Sequence, residues 1–157
     1  MVVLAELEYT ALKSSGNALF KASKYQDAID CYTQVIASFQ NKRGVNHEEE
    51  VVSIYCQCLG NRALCAFRLS KFSDALEDCE VALQHDPKYG KAWFTRAKCL
   101  MKLAYYKEAL RAFSYSKDVG VVDKDLDNYL VICKNNMSTQ VKDYSSRTSM
   151  SDSLNDI

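Results

Sequence analysis

The stretch Ala-Lys-Cys-Leu-Met-Lys at 97–102 repeats a pattern that also occurs at 63–68 (Ala-Leu-Cys-Ala-Phe-Arg) and at 16–21 (Gly-Asn-Ala-Leu-Phe-Lys). Each copy is followed at the same interval by an aromatic residue and then an alanine: Tyr25 and Ala28, Phe72 and Ala75, Tyr106 and Ala109. Small residues at a fixed spacing let two helices approach closely, and the aromatics fill the space beside them. We interpret the pattern as three helical hairpins in succession.

The copies are 47 residues apart from first to second and 34 apart from second to third. A 34-residue period is that of the tetratricopeptide repeat (TPR). The sequence resembles a three-repeat TPR domain over residues 6–121, with consensus-like residues at Pro87, Trp93, Ala97, Ala109 and Phe113. The resemblance implies a right-handed superhelical solenoid whose concave wall is formed by the first helix of each pair.

The composition agrees with an all-α fold and disfavours several classes of function. The 157 residues include 5 Gly and 1 Pro, the two residues that most oppose helices. Because 20 Lys+Arg balance 20 Asp+Glu, a general nucleic-acid binder is disfavoured. No apolar run approaches the roughly 20 residues of a membrane span, and no secretory segment is evident. We expect a cytoplasmic protein that binds neither membrane nor nucleic acid.

The chain divides into predicted segments that the repeat phase defines. The repeats occupy about 6–39, 48–86 and 87–121, with a polar connector at 40–47 and an acidic helix start at Glu48. Asp86 is predicted to cap the third repeat, with Pro87 at the first helical position. A capping helix is predicted at 122–137, followed by a disordered Ser-rich tail at 138–157.

The predicted concave wall concentrates positive charge. We assign it two amides, Asn17 and Asn61, and no carboxylate. Its cations are Lys13, Lys21, Arg68, Lys91, Lys98 and Lys102. Ammonium groups attract carboxylates, and amides can hold a carboxylate oxygen or a ligand backbone. The wall therefore favours an acidic, extended peptide, with a terminal carboxylate as the obvious target.

The motif Lys13-x-x-Gly16-Asn17-x-x-Phe20-Lys21, followed by Asn61-Arg62-Ala63 and then Lys91, resembles the two-carboxylate clamp of chaperone-binding TPR domains. The resemblance implies that Lys13, Asn17 and Asn61 hold the ligand's final carboxylate. It implies that Lys91 reaches the acidic side chain or carboxylate of the last residue. The ligand would be the Glu-Glu-Val-Asp tail of the seventy- or ninety-kilodalton heat-shock chaperones, and the chain a co-chaperone or adaptor module.

One clamp position departs from the family pattern. Many clamps place an Arg four residues after the second-site Lys, where this chain has Thr95. Arg96 is displaced by one residue, about 100° around a helix, so it does not simply substitute. We expect a weaker or altered preference at the ligand's penultimate residues, with Lys98 as a possible compensating cation. The predicted peptide-binding residues are Lys13, Asn17, Asn61, Lys91, Lys21, Arg68, Thr95 and Lys98.

Two other functions stay open at this point. A TPR scaffold could grip an internal peptide or helix of another protein complex, and it would be indifferent to amidation of a peptide terminus. The chain could also be the non-catalytic module of a larger enzyme, such as a prolyl isomerase or phosphatase. Because we find no phosphate loop, metal pair or nucleophile with a base, we expect no enzyme activity, no cofactor and no metal. We expect a monomer in which the seven cysteines are reduced packing residues.

Overall fold

The computed structural model describes the backbone of residues 2–41 and 49–152, and the side chains of 6–41 and 49–139. Within these ranges it contains seven helices and no strand, which confirms the all-α fold. The helices are α1 (Val2–Lys21), α2 (Tyr25–Asn41), α3 (Glu49–Arg68), α4 (Phe72–His85), α5 (Gly90–Lys102), α6 (Tyr106–Asp118) and α7 (Leu126–Asp152). None of the helices in these ranges is both long and apolar enough to cross a bilayer.

The helices pack as three consecutive hairpins, α1 with α2, α3 with α4 and α5 with α6. Contacts of α3 with both α1 and α5 place the first helices of the hairpins side by side. The second helix of each of the first two hairpins also packs on the next hairpin, and α7 covers α6. The first helices therefore share one wall of the molecule.

Small buried residues allow this close packing. The alanines that the repeat pattern singles out are completely buried: Ala28, Ala63, Ala75, Ala97 and Ala109. One hydrophobic core is formed by residues of α1 to α4 with a contribution from α5. A second core is formed by residues of α5, α6 and α7. Larger side chains at these positions would force the helix pairs apart, because protein interiors leave few voids to absorb added volume.

The turn inside each hairpin repeats as well. Ser23, Ser70 and Ala104 have φ values of 59°, 59° and 63°, in the left-handed region. In the third hairpin the N–H of Ala104 bonds to Met101 O and that of Tyr105 to Leu100 O, and the other two hairpins have the equivalent bonds. This is the Schellman arrangement, which satisfies the last carbonyls of a helix. It ends each first helix and reverses the chain at the same place in every repeat.

The cysteines lie within the packed interior. All seven are free, and all but the half-buried Cys31 are buried. Burial raises the pKa of the Cys65 and Cys99 thiols to about 11. Among the described residues no group of three His, Cys, Asp or Glu side chains is arranged to hold a metal ion.

The predicted cap at Asp86 is wrong. Asp86 follows α4, where its N–H donates to Ala82 O, and its carboxylate accepts the N–H of Lys88 at 3.0 Å. Pro87 lies in the turn, and α5 begins only at Gly90. An Asp side chain bonds readily to the backbone two residues ahead, and here that turn replaces the helix cap.

The segment bounds also differ from expectation. Gln40 and Asn41 belong to α2. The rest of the predicted connector, residues 42–47, lies with Glu48 outside the described residues. The last helix starts at Leu126, after a turn in which Asp123 accepts the N–H of Asp125 at 2.9 Å. It continues to Asp152, whereas we expected a disordered tail from 138. No Gly or Pro follows Gly120 to interrupt a helix. Residues 153–157 lie outside the description, and the domain division stays a prediction.

We expect Ala104→Gly to raise the free energy of unfolding by up to about 1 kcal/mol, because glycine adopts the left-handed conformation without the Cβ penalty. Chemical denaturation measures the change. The control is Ala11→Gly at an exposed position inside α1, which should lower the same quantity by about 0.5–1 kcal/mol. Equal destabilisation by both variants would contradict the turn geometry.

Candidate functional site

The shared wall of α1, α3 and α5 forms a groove of about 480 Å³, which we call the inner groove. Its polar lining consists of Lys13, Asn17, Lys21, Gln57, Asn61 and Lys91. Its apolar and aromatic lining consists of Phe20, Tyr32, Leu64 and Tyr89. None of these described lining residues is an Asp or Glu. The structure therefore brings together five of the predicted site residues in a setting that is net positive.

Hydrogen bonds connect the amides at the centre of the groove. Asn61 Nδ2 donates to Asn17 Oδ1 at 2.9 Å, and the hydroxyl of Tyr32 donates to the same oxygen at 2.7 Å. The Lys91 ammonium donates to Asn61 Oδ1. Side chains from all three hairpins are thus joined, although 74 positions separate Asn17 from Lys91 in the sequence.

The side-chain amide of Gln57 holds Lys13 in place. Lys13 Nζ donates to Gln57 Oε1 at 2.7 Å, and Gln57 Nε2 donates to Ser53 Oγ at 3.1 Å. Since the partner of Lys13 is a neutral amide, the positive charge is not cancelled. An arriving carboxylate meets a cation that is already positioned.

Lys91 is exposed as a residue, but its ammonium lies against the groove. Burial lowers its pKa, and the nearby Cys65 acts in the opposite direction. Partial loss of hydration disfavours the charged form of an amine. A ligand carboxylate beside Lys91 would stabilise that charged form.

Lys98 lies further along the same wall. It occupies in the third hairpin the repeat position of Asn17 in the first and Leu64 in the second. Its ammonium lies 5.0 Å from the ring centre of Phe67 and 4.8 Å from that of Phe94. Burial lowers its pKa, and the positive charge of Arg68 lowers it further. The two rings therefore hold a cation next to the groove.

The remaining predicted residues do not line the groove. Arg68, exposed at the end of α3, and Lys102, exposed at the end of α5, are not part of its lining. Thr95 is 1% exposed. A long Arg could extend from that position to the surface, but the short Thr side chain stays in the interior, so we remove Thr95 from the candidate peptide-binding residues.

Two aromatic lining residues were missed by the sequence reasoning. Tyr32 lies on a second helix and reads as a packing residue, and Tyr89 precedes α5. The sequence contained one signal for each, a glycine inside a helix, and in the structure each ring lies against that glycine. A Cβ on Gly16 would come within 2.6 Å of Tyr32 Cε1, and one on Gly60 within 2.8 Å of the Tyr89 hydroxyl.

Arg62 is part of the quoted clamp motif but has a structural role. It makes two hydrogen bonds to the Asp78 carboxylate, at 2.8 and 2.6 Å, and a third to Thr33 Oγ1 at 3.0 Å. These bonds tie α3 to α4 and α2. The charge of Arg62 is therefore neutralised outside the groove.

Comparisons with known proteins agree with this architecture. No family model matches the chain. The human mitochondrial import receptor subunit TOM70 is 40% identical over 100 residues, which make up 64% of this chain and 15% of that protein. The chain thus spans only a small part of this curated relative.

Two solved structures have the same fold, and their similarity extends over most of this chain. The first TPR domain of Spaghetti (RPAP3), bound to the HSP90 peptide SRMEEVD, superposes with a TM-score of 0.71 and 26% identity, covering 85% of this chain and 95% of that one. The second TPR domain of human RPAP3, in complex with the HSP70 peptide SGPTIEEVD, has a TM-score of 0.65 and 27% identity, covering 85% and 98%. The three hairpins and α7 therefore form a TPR solenoid, as predicted.

We expect Gly16→Ala to lower the free energy of unfolding by about 1–3 kcal/mol, because Tyr32 is buried and its ring cannot swing away from the added methyl group. Helix propensity alone would predict the opposite, a gain of about 0.5–1 kcal/mol. Thermal or chemical denaturation gives the sign. Ser15→Ala, at the exposed neighbouring position, should change stability little; a stabilising Gly16→Ala would contradict the close approach.

Proposed function

We propose that the inner groove binds the acidic C-terminal tail of a heat-shock chaperone of the seventy- or ninety-kilodalton class, ending in Glu-Glu-Val-Asp. The chain would then act as a co-chaperone or adaptor module. One observation carries the proposal: Lys13, Asn17, Asn61 and Lys91 line a single groove without a described carboxylate among the lining residues.

The donors in the groove suit the end of a polypeptide. Lys13 and the amides of Asn17 and Asn61 would hold the terminal carboxylate, because each can donate to a carboxylate oxygen. Lys91 would pair with the acidic side chain of the last residue or share its carboxylate. The apolar surface of Phe20 and Leu64 is available for the ligand's valine.

The similar solved structures support this ligand. The two RPAP3 domains carry chaperone peptides that end in Glu-Glu-Val-Asp. The similarity covers 85% of this chain and 95% and 98% of those two domains. We therefore take the same peptide class as the first ligand to test.

The buried Thr95 alters the upstream half of the site. Lys98 supplies the cation that Thr95 lacks, but it lies one helical turn further along the wall. Since Phe67 and Phe94 hold it there, the preferred acidic residue of the ligand would be further from the C-terminus than in a clamp with the usual Arg.

We expect the peptide SRMEEVD to bind with micromolar-scale affinity, about 8 kcal/mol, in a calorimetric titration. Amidation of its terminus, or the variants Lys13→Ala and Asn61→Ala, should weaken binding at least about tenfold, because each removes a charge-assisted or amide contact. Binding should also weaken as salt is raised.

The matched control is Lys24→Ala, which removes an exposed lysine at the α1–α2 turn outside the lining. It should leave affinity unchanged. If the amidated peptide binds as well as the free acid, the groove does not recognise a terminus, and the alternative of an internal peptide or helix gains support.

We expect binding to become weaker as the pH rises through the lowered pKa of Lys91. Below that pKa the ammonium is charged in both free and bound protein. Above it the free protein has lost a proton that the peptide carboxylate would restore, so binding must take one up. Titrations in buffers of different ionisation enthalpy measure this uptake.

The control for the proton linkage is Lys91→Arg, which keeps its charge throughout the accessible pH range. The alkaline decline and the proton uptake should shrink in this variant. An identical decline in both proteins would assign the effect to another group. Cytoplasmic location, monomeric state and lack of catalysis stay predictions of the sequence.

A further inference from the structure

Tyr32 is part of the lining of the inner groove, and its hydroxyl lies beside Asn17. It donates a 2.7 Å hydrogen bond to Asn17 Oδ1. Tyr32 is 1% exposed, and its ring lies against α1 at Gly16. The hydroxyl therefore has a fixed place, which an exposed tyrosine would not have.

The direction of the hydrogen bonds follows from Lys91. An ammonium group can donate but cannot accept, so the oxygen of the Asn61 amide must face Lys91. This orientation turns the Asn61 NH₂ group towards Asn17, whose oxygen must then face Asn61. The Lys91 ammonium thus fixes which way both side-chain amides, Asn61 and then Asn17, are turned.

The oxygen of Asn17 receives two donors, one from Asn61 and one from Tyr32. An amide oxygen has two lone pairs, so this acceptor is fully used. What remains of the Asn17 side chain is its NH₂ group, a donor. A site that offers a donor here favours a carboxylate, which has two acceptor oxygens, over an amide, which has one acceptor oxygen and an NH₂ group that can only donate.

We propose that Tyr32 is a positioning residue of the peptide site, whose hydroxyl holds the Asn17 amide with its NH₂ group available to the ligand's terminal carboxylate. The inference rests on the proposed function, because it assigns a cause to the preference for a free terminus. Tyr32 would act through Asn17, because its hydroxyl already donates to the Asn17 oxygen. Lys91 has a second role in the same arrangement, since it orients Asn61.

The test compares Tyr32→Phe with Tyr55→Phe. Both remove one buried hydroxyl and keep the ring, and Tyr55 accepts a bond from Gln40 away from the groove lining. Each protein is titrated with SRMEEVD as the free acid and as the C-terminal amide. We expect Tyr32→Phe to bind the free acid about three- to tenfold more weakly, with little change for the amide.

The ratio of the two affinities is the deciding quantity, because a general loss of stability would weaken both peptides alike. A ratio that falls in Tyr32→Phe and is preserved in Tyr55→Phe supports the inference. The same ratio in Tyr32→Phe as in the parent protein overturns it.

A peptide-free measurement separates this inference from the proposed function. The side-chain NH₂ resonances of Asn17 and Asn61 are recorded by NMR in the free proteins. We expect those of Asn17 to shift in Tyr32→Phe and to stay in place in Tyr55→Phe. If the parent protein binds neither peptide, the proposed function fails. Unchanged Asn17 resonances would overturn the positioning role whether or not a peptide binds.

Discussion

The close approach of the two helices in each hairpin is the constraint on which the rest of the structure depends. It requires a very small residue where the helices touch, which Gly16 provides in the first hairpin and fully buried alanines provide in the others. With the Schellman turn at a fixed distance beyond, the chain reverses at the same place in every hairpin. Hairpins that reverse in the same way can then stack so that their first helices lie side by side.

The stacking creates the groove, and the groove in turn links the hairpins. Lys13 of α1 bonds to Gln57 of α3, Asn61 of α3 bonds to Asn17 of α1, and Lys91 of α5 bonds to Asn61. Each of these bonds crosses from one hairpin to the next. The residues that would recognise a ligand are thus also contacts between repeats, so a change in how the hairpins stack would alter the site directly.

Features that follow from the repeat could be predicted from the sequence. Features that depend on how far a side chain reaches could not. The repeat phase predicts the hairpins, the shared wall and five residues that line the inner groove, because a helical period fixes which face a residue occupies. It cannot tell whether a side chain on that face reaches the surface, and Thr95 does not. Tyr32 was missed for a related reason: its ring fits the core pattern, and only the three-dimensional contact with Asn17 reveals the use of its hydroxyl. Asp86 was assigned to the wrong helix end because a capping residue and an Asx turn have the same sequence signal.

Some basic side chains are paired with a carboxylate, and others are held only by a neutral amide. This difference explains why the groove can attract an anion in a protein with no net charge. Arg62 is paired with Asp78 at 2.6 Å, so its charge is cancelled where it lies. Lys13 and Lys91 are held instead by the neutral side chains of Gln57 and Asn61. An amide fixes the position of an ammonium group but leaves its charge, whereas a carboxylate would do both. Position without neutralisation is what a receptor for a carboxylate needs, because the ligand then supplies the missing counter-charge at a site whose geometry is already set.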